Sequence, residues 1–432
     1  MNYAEALEEL HALYRFGIYE GLERITELLR RLGNPQKQIP HMIHIAGTNG
    51  KGSVSAMLSA IAQAAGKKTA LFTSPHLNCH RERFRINGEM IGEERFVDVF
   101  SQVMAALHQM VEEGWESPTE FEAATAVAYL WFAQEQVDVA VVEVGLGGDA
   151  DATNVILPDV SVITNVGLDH LLHLGNTVEK IAHKKAGIIK PHIPVVTAAT
   201  GEALTVLREK AREMHAPLAV LGEEIQIQKA KVTENGSELD LHLPEGEYVE
   251  LHVSLLGLYQ LENAALAVAA AVKAGFSKQA IAQGLREARW PGRLEKLSEQ
   301  PLVVVDGAHN EPGMAALSQA VEAFWPNKRI LGILGMLGDK QREEALPQLL
   351  KWLDYAIVTP PNNPSRAGDW ETIAEICRKA GVEAEIEADN RKACAEAMSL
   401  LAEGKYDMLL AAGSLYLIAD LRLYLLDELQ KR

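Results

Sequence analysis

The chain has 432 residues, of which 48% are hydrophobic and 23% charged, and this composition is typical of a soluble globular protein with two domains. Its formal net charge of −18 argues against a broad nucleic-acid surface, which depends on clustered Lys and Arg. No apolar stretch approaches the roughly 18 to 20 residues of a membrane span. The polar start MNYAEALEEL is not a secretory signal, and three cysteines without CxxC spacing favour a reducing cytoplasm over a disulfide framework or a zinc cluster.

Short apolar runs alternate with longer amphipathic segments through the first half of the chain. This rhythm predicts an α/β fold with a parallel-rich sheet, whose ligands bind at the carboxyl ends of the strands. The predicted strands are 42–46, 69–73, 137–144, 160–164 and 194–197. Residues 223–255 then alternate polar and apolar positions, which indicates an antiparallel excursion.

The αβ rhythm restarts after a predicted helical pair at 260–274 and 278–288. Further strands are predicted near 302–305, 329–334, 355–358 and 407–411. We therefore expect a first domain over 1–292, a linker at 293–300 and a smaller α/β domain over 301–432.

A glycine-rich loop follows the first predicted strand and precedes a helix. It consists of Gly47, Thr48, Asn49, Gly50, Lys51, Gly52 and Ser53. Glycines let backbone N–H groups face phosphate oxygens, the helix N-terminus adds partial positive charge, and Lys51 can reach the terminal phosphates. The loop is a shortened variant of GxxxxGK[ST], and the alternative is a turn that only starts a helix. Since Gly52 lacks a hydroxyl, Ser74 at the next strand end is our candidate Mg²⁺ ligand, unless it is an ordinary turn residue.

Longer segments resemble folylpolyglutamate synthase and its dihydrofolate synthase relatives in the Mur-ligase superfamily. They are GTNGKGS (47–53), TSPHL (73–77), EVGLGG (143–148), DATN (151–154), GLDHLLHLGNTVEKIAHKKAGIIK (167–190), YQLENAALA (259–267), WPGRLE (290–295), DGAHN (306–310) and GSLYL (413–417). Their order and spacing also match, over essentially the whole chain. The resemblance implies a P-loop ATPase domain joined to a smaller Rossmann-like domain, with the active site in the cleft between them.

Roles carried over from the family fall on matching positions of this chain. The implied catalytic residues are Lys51, Lys185 and His309. The implied nucleotide-binding residues are the loop 47–53, Asn263, Arg293 and Asp306. The implied Mg²⁺ ligands are Ser74, Glu143, His170 and Lys185. From the residues alone, Glu143 could be a solvated strand-terminal carboxylate, His170 a packed or turn histidine, and Asn263 with Gln260 a helix cap.

Three residues depart from the family pattern. Asp149 replaces an expected Arg, Lys184 replaces Glu, and Tyr259 replaces a common His. The change at Asp149 reverses a charge beside the implied metal site, so we expect it to affect substrate affinity or turnover. On the folate side, Arg83 could face a substrate carboxylate or belong to a solvated charge cluster.

Lys185 is predicted to point inward from a helix in which Asn176 and Glu179 form a capping-box-like start and which Gly187 ends. At 100° per residue it shares a face with Val178 and Ile181. A desolvated ammonium has a lowered pKa, and the neutral amine can react with CO₂ to give an anionic Mg²⁺ ligand. The alternative is a Lys that snorkels to solvent at the helix end. Because IAxxKAGI matches the family's modified-lysine segment, we predict a carbamylated Lys185.

These observations predict a monomeric, cytoplasmic, ATP-dependent ligase that adds L-glutamate to the terminal carboxylate of folates through an acyl-phosphate, with dihydropteroate as a further acceptor. The implied cofactors are ATP and two Mg²⁺ ions, with a monovalent cation as an additional candidate, and no nucleic acid or membrane partner is expected. One alternative is another Mur-type ligase that acts on a cell-wall precursor. The other is a switch that hydrolyses ATP only to change shape.

Overall fold

The computed structural model describes residues 1–13 and 21–431, which form two compact units. The first unit comprises Met1–Ala230, Glu238–Val253 and Glu262–Ala288. The second comprises Lys231–Ser237, Ser254–Leu261 and Arg289–Arg432. The segment predicted as a linker contains a strand, Glu295–Glu299, and the domain bounds read from the sequence stay a prediction.

The first unit is built on an eight-stranded sheet with the strand order β4-β3-β2-β5-β1-β6-β7-β8. Its strands are β1 (His41–Ala46), β2 (Thr69–Phe72), β3 (Phe84–Ile86), β4 (Glu89–Met90), β5 (Val139–Glu143), β6 (Val160–Ile163), β7 (Val195–Thr197) and β8 (Leu218–Val220). Six neighbouring strands pair in parallel, in the order β2, β5, β1, β6, β7 and β8. The strands β3 and β4 add an antiparallel edge beside β2. All five residues of β5 are buried, as expected for a central strand covered on both faces.

Helices precede, connect and follow these strands. They are α1 (Tyr3–Ala12), α2 (Glu23–Arg31), α3 (Lys51–Ala64), α4 (Glu93–Glu112), α5 (Glu120–Gln134), α6 (Leu171–Leu174), α7 (Val178–Ala186), α8 (Gly201–Glu213), α9 (Gln260–Lys273) and α10 (Lys278–Glu287). Helix α3, which follows the glycine-rich loop, packs closely against α10. Gly284 permits this approach, because a Cβ there would overlap the backbone of Ile61. The packing fixes the helix whose N-terminus carries Lys51.

The predicted antiparallel excursion is confirmed as a three-stranded sheet. Its strands are β9 (Gln226–Thr233), β10 (Gly236–Leu243) and β11 (Gly246–Val253), in the order β11-β10-β9.

The second unit contains a six-stranded sheet with the order β12-β13-β17-β14-β15-β16. Its strands are β12 (Glu295–Glu299), β13 (Leu302–Asp306), β14 (Ile330–Leu334), β15 (Tyr355–Val358), β16 (Glu383–Ile386) and β17 (Met408–Ala412). Its helices are α11 (Glu311–Phe324), α12 (Arg342–Ala345), α13 (Pro347–Leu350), α14 (Pro364–Ala367), α15 (Thr372–Lys379), α16 (Asn390–Ala402) and α17 (Leu415–Gln430). Only β12 runs antiparallel to its neighbour. The predicted α/β class, with a parallel-rich sheet and a smaller Rossmann-like unit, is confirmed.

No helix within 1–13 or 21–431 is long and apolar enough to cross a membrane.

Candidate active site

The glycine-rich loop is held by the segment that follows β6. Thr164 Oγ1 donates to the carbonyl of Asn49 at 2.6 Å, and Asn165 accepts from Thr48 N at 2.9 Å and, through its side chain, from Asn49 N at 2.9 Å. Gly47 has φ +147°, and a Cβ at this position would overlap the Thr164 hydroxyl. The loop is therefore a preformed structure between two adjacent parallel strands, as a phosphate cradle requires.

Asn263 of α9 packs against the same loop. Gly50 has φ +85°, and a Cβ at position 50 would overlap the Asn263 amide oxygen. Asn263 is almost completely buried and lies in the fourth position of α9. The alternative interpretation, a helix cap, therefore does not account for its contact with the loop. The structure thus brings Asn263 to the predicted nucleotide loop.

Two lysines converge on one backbone carbonyl of the loop. Lys51 Nζ donates to the Gly47 oxygen at 3.0 Å and to the Thr48 oxygen at 3.3 Å, and Lys185 Nζ donates to the same Gly47 oxygen at 2.8 Å. Lys185 is 4% exposed. Burial, and secondarily the neighbouring Lys51, lower the pKa of Lys185 from 10.5 to about 7, against the opposite influence of Asp169 and Asp151. A substantial fraction of Lys185 is therefore a neutral amine at neutral pH.

The inward orientation of Lys185 is confirmed, but the predicted start of its helix is wrong. Helix α7 begins after Thr177, whose side chain accepts from Lys180 N, and not after Asn176. Asn176 accepts instead from the ammonium of Lys180 at 3.3 Å. Both residue types are good caps, and Thr177 has the extended backbone of an N-cap (φ −131°, ψ 149°). Gly187 is the C-cap, as predicted.

Ser74 and Glu143 lie together at the ends of adjacent parallel strands. Glu143 is the last residue of β5, is 4% exposed, and accepts from Ser74 N at 3.1 Å. Ser74 follows β2 by two residues, and β5 lies between β2 and β1. The strand order thus places the hydroxyl, the carboxylate and the glycine-rich loop on three consecutive strands. A buried carboxylate in this position is not the solvated strand-terminal Glu of the alternative interpretation.

His170 lies in the segment after β6 that also carries Asn165. It adopts a left-handed backbone conformation, with φ 50°, immediately before the short helix α6. Its side chain is 49% exposed, and its Nε2 lies 3.8 Å from the carboxylate of Asp169. The imidazole is therefore accessible rather than packed in a core, which removes one of the alternative interpretations.

Sequence reasoning missed two residues that shape the site. Asn165 binds both Thr48 and Asn49, and Asp151 organises the loop after β5 by accepting from Leu146 N at 2.8 Å and from Thr153 N at 3.0 Å. Burial raises the pKa of Asp151, although these hydrogen bonds oppose the shift. Asn165 could have been found by a strand-end argument, since it directly follows the predicted strand 160–164.

Two of the three departures from the family pattern face each other. The ammonium of Lys184 lies 3.6 Å from the carboxylate of Asp149, with the two side chains 27% and 42% exposed. Asp149 N also donates to the Lys184 carbonyl at 2.8 Å. The reversed charge at Asp149 is thus balanced within the protein by a second reversed charge.

Arg83 is engaged by the protein's own groups. Its Nε donates to His76 Nδ1 at 3.1 Å, and its Nη1 lies 3.5 Å from the carboxylate of Glu120. Burial, with a smaller contribution from Arg83, lowers the pKa of His76 to about 3, so this imidazole is neutral and can accept the hydrogen bond. Arg83 therefore faces a carboxylate of the chain itself, and not a solvated cluster.

In the second unit, a buried carboxylate organises the loop after β13. Asp306 accepts from Leu294 N and from Ala308 N, both at 2.7 Å. Burial raises the pKa of Asp306, whereas Arg293 acts in the opposite direction. Tyr259 lies in the same unit, where burial and Asp306 raise the pKa of its hydroxyl and Arg293 again opposes the shift. The charges of Arg293 and Asp306 thus influence each other and the hydroxyl of Tyr259.

His309 lies just before α11. Its Nδ1 donates to the Gly307 carbonyl at 2.8 Å, so this ring nitrogen carries a proton and the ring is oriented by the loop. Ser414 is the N-cap of α17 and accepts from Tyr416 N at 3.2 Å. A strand-to-helix turn therefore accounts for Ser414.

Two segments of the chain match domain families of Mur ligases. Residues 45–271 match the Mur ligase middle domain, and residues 292–415 match the Mur ligase glutamate ligase domain. The Bacillus subtilis dihydrofolate synthase/folylpolyglutamate synthase is 37% identical, over 97% of this chain and 98% of its own. The chain belongs to the folylpolyglutamate synthase family of Mur ligases.

Solved structures agree with this assignment. Mycobacterium tuberculosis folylpolyglutamate synthase complexed with ADP has a TM-score of 0.90 and 32% identity, with 98% of this chain and 99% of that chain covered. Escherichia coli FolC in complex with DHPP and ADP has a TM-score of 0.89 and 31% identity, with 100% and 99% covered. The protein is accordingly an ATP-dependent glutamate ligase, as the sequence predicted.

The donor set at the ends of β2 and β5 suits a magnesium ion. A serine hydroxyl and a buried carboxylate are hard oxygen ligands, which Mg²⁺ prefers. Among residues 1–13 and 21–431 there is no group of three or more His, Cys, Asp and Glu that could hold a metal. This finding does not conflict with the predicted ligands, since only Glu143 and His170 among them are of those four residue types. The chemistry of Ser74 and Glu143 therefore fits the ion.

Proposed function

We propose that this ligase adds L-glutamate to the terminal carboxylate of a folate, and that dihydropteroate is a second acceptor. Support comes from relatives that match it from end to end, including the folylpolyglutamate synthase of Lacticaseibacillus casei, which is 37% identical over 99% of both chains. The observation that carries the proposal is the convergence of Lys51 and Lys185 on the phosphate loop, next to the strand that ends in Glu143.

The chemistry begins with the acceptor carboxylate, whose oxygen attacks the γ-phosphorus of ATP and releases ADP. The resulting acyl-phosphate is attacked by the glutamate amino group, and the tetrahedral intermediate collapses to an amide and inorganic phosphate. ATP is needed because a carboxylate has no adequate leaving group. The protein supplies alignment and charge neutralisation, as in other phosphoryl transfers.

The residues of the first unit divide this work. Lys51 leaves its carbonyl partners to bind the β- and γ-phosphates, and backbone N–H groups of 47–53 bind the remaining phosphate oxygens. Ser74, Glu143 and His170 would hold Mg²⁺, together with Lys185 as its carbamate. When bound, the ion offsets repulsion between the carboxylate and the triphosphate.

Carbamylation of Lys185 follows from its environment. A neutral amine is the reactive form towards CO₂, and the buried Nζ beside Lys51 is partly neutral near pH 7. Conversion to a carbamate also replaces a second positive charge by a negative one, so the repulsion from Lys51 becomes attraction. The mass of the intact protein in bicarbonate, and digestion after trapping of the carbamate as its methyl ester, would locate the added CO₂.

In the second unit, we assign Arg293, Asp306 and His309 to nucleotide and phosphate binding. Asp306 accepts hydrogen bonds from Leu294 N and from Ala308 N. His309 is oriented by the hydrogen bond from its Nδ1 to the Gly307 carbonyl. The proposed roles of Arg293 and His309 are tested by substitution, because these two side chains are partly exposed, whereas Asp306 is buried.

One experiment tests the proposal as a whole. Purified protein is incubated with MgATP and labelled glutamate, and either a folate, dihydropteroate or a UDP-linked cell-wall precursor is added. We expect labelled amide with the first two acceptors only. Product formed from the UDP-linked precursor would instead establish the other Mur-type activity, and ATP hydrolysis without any amide product would establish a nucleotide switch.

A further inference from the structure

The loop 145–154 and the C-terminal turn of α7 are docked on each other by backbone contacts. Asp149 N donates to the Lys184 carbonyl, and the Asn154 amide donates to the carbonyls of both Asp149 and Gly187, at 2.9 and 3.1 Å. A Cβ at Gly187 would overlap the backbone of Asp149. The loop and the helix end are therefore in direct backbone contact at Gly187, and the Asn154 side chain bridges them beside it.

Lys185 lies inside this docked region. A Cβ at Gly148 would approach the carbonyl oxygens of Lys184 at 2.8 Å and of Lys185 at 3.1 Å. The backbone of Lys185 is thus in close contact with the loop, while its side chain reaches the Gly47 carbonyl. Any displacement of the loop from the helix end moves the Lys185 backbone relative to the phosphate loop.

The ion pair between Asp149 and Lys184 closes the rim of this docked region. The two residues are 35 positions apart in the chain, and each carries the charge opposite to that of the family pattern. Either exchange alone would oppose like charges, because the family's arginine would then face Lys184, or the family's glutamate would face Asp149. With both charges reversed, positions 149 and 184 still form an attractive ion pair, but the acidic and basic residues have changed places.

We propose that Asp149 and Lys184 are a charge-exchanged positioning pair, which holds the loop 145–154 on the end of α7 and thereby keeps Lys185 at the phosphate loop. This inference rests on the proposed catalytic role of Lys185. It assigns to the pair an effect on turnover, and not only on folding, although neither side chain touches a reacting atom.

The test is a charge-swap cycle. The variants are Asp149→Arg, Lys184→Glu and the double variant with both changes, with Asp149→Glu and Lys184→Arg as sign-preserving controls. The exposed pair Arg208–Glu223, which joins α8 to the segment after β8, provides a matched control through Glu223→Arg. Measurements are kcat and KM for glutamate, the thermal midpoint, and the rate at which acetic anhydride acylates Lys185 in the ligand-free protein, followed by mass spectrometry.

We expect each single reversal to lower kcat by about five- to tenfold, in line with a partly exposed ion pair turned from attraction to repulsion, with little change in KM. The double variant should return to within about twofold of the parent. The acylation rate of Lys185 should rise in the single variants and return to the parent's rate in the double variant. Glu223→Arg should change neither kcat nor the acylation rate of Lys185.

A double variant as impaired as its worse single variant, or single variants that leave both kcat and Lys185 acylation unchanged, would overturn the inference. Failure of the proposed function is distinguishable from this, because a parent that forms no amide still gives a Lys185 acylation rate. In that case the acylation rates alone decide whether the pair positions Lys185.

Discussion

Replacement of Lys185 by Met should stabilise the fold while it abolishes turnover. Met has a similar volume and removes the buried amine. The Gly47 carbonyl keeps a donor, since Lys51 Nζ also bonds to it at 3.0 Å. The free energy of unfolding of the parent includes the cost of losing a proton from Lys185 on folding, and that cost is absent in the variant.

The lowered pKa of Lys185 sets how much more stable the Lys185→Met variant is than the parent, and how this difference depends on pH. A shift from 10.5 to about 7 corresponds to about 5 kcal/mol, because each pKa unit equals about 1.4 kcal/mol. Above pH 10.5 both folded and unfolded chains have a neutral amine, and the cost vanishes. As the pH falls from 10.5 to about 7, only the unfolded chain takes up a proton, so the parent loses stability. Below about pH 7 the cost is constant.

We therefore expect the advantage of Lys185→Met to be about 4 kcal/mol at pH 7, where Lys185 of the folded chain is partly protonated, and about 2 kcal/mol at pH 9. Urea unfolding followed by tryptophan fluorescence, in CO₂-free buffer so that the free amine is measured, gives both values. Lys180→Met, on the exposed face of the same helix, should change stability by less than about 0.5 kcal/mol at either pH. A Lys185→Met variant no more stable than the parent at pH 7, or an advantage independent of pH, would refute the reasoning.

Three further substitutions test the assigned roles. Lys51→Ala should lower kcat by about 10²- to 10³-fold, because the charge it removes acts on transferring phosphate; a folded variant with the parent's ADP release rate would exclude Lys51 from the mechanism. His309→Ala should reduce turnover on a similar scale with an unchanged thermal midpoint, and near-normal steady-state rates would contradict its assignment. Glu143→Gln should raise the Mg²⁺ concentration needed for half-maximal activity, which a metal titration measures; an unchanged titration curve would show that Glu143 is not a ligand.

Much of the fold was predictable because central parallel strands are continuous apolar runs. The segments that became β1, β5 and β17 were found within one or two residues, since burial on both faces leaves no room for polar residues. The strands β3, β4 and β8 of the first unit were missed, and so were β12 and β16 of the second unit. The latter two are edge strands with charged residues, EKLSE and EAEI, whose pairing depends on the neighbouring strand rather than on their own pattern.

The site was predictable where chemistry is local in sequence. The loop 47–53 was located by its order of strand, glycines, lysine and helix, and Glu143 by the family resemblance. Helix periodicity gave the inward orientation of Lys185. The pairing of Asp149 with Lys184 was not predictable, because it depends on a loop docking on a helix end 35 residues away in the chain. Asn176 and Thr177 are both good N-caps by residue type, so residue type alone did not identify Thr177 as the cap of α7.

Isotope transfer tests the central claim most directly. A folate whose terminal carboxylate carries ¹⁸O is incubated with the protein, MgATP and glutamate, and the inorganic phosphate is analysed by mass. Because the carboxylate oxygen that attacks the γ-phosphorus leaves with phosphate when the amine attacks, we expect one ¹⁸O atom in each phosphate released. Amide formation with no ¹⁸O in the phosphate would contradict the acyl-phosphate mechanism.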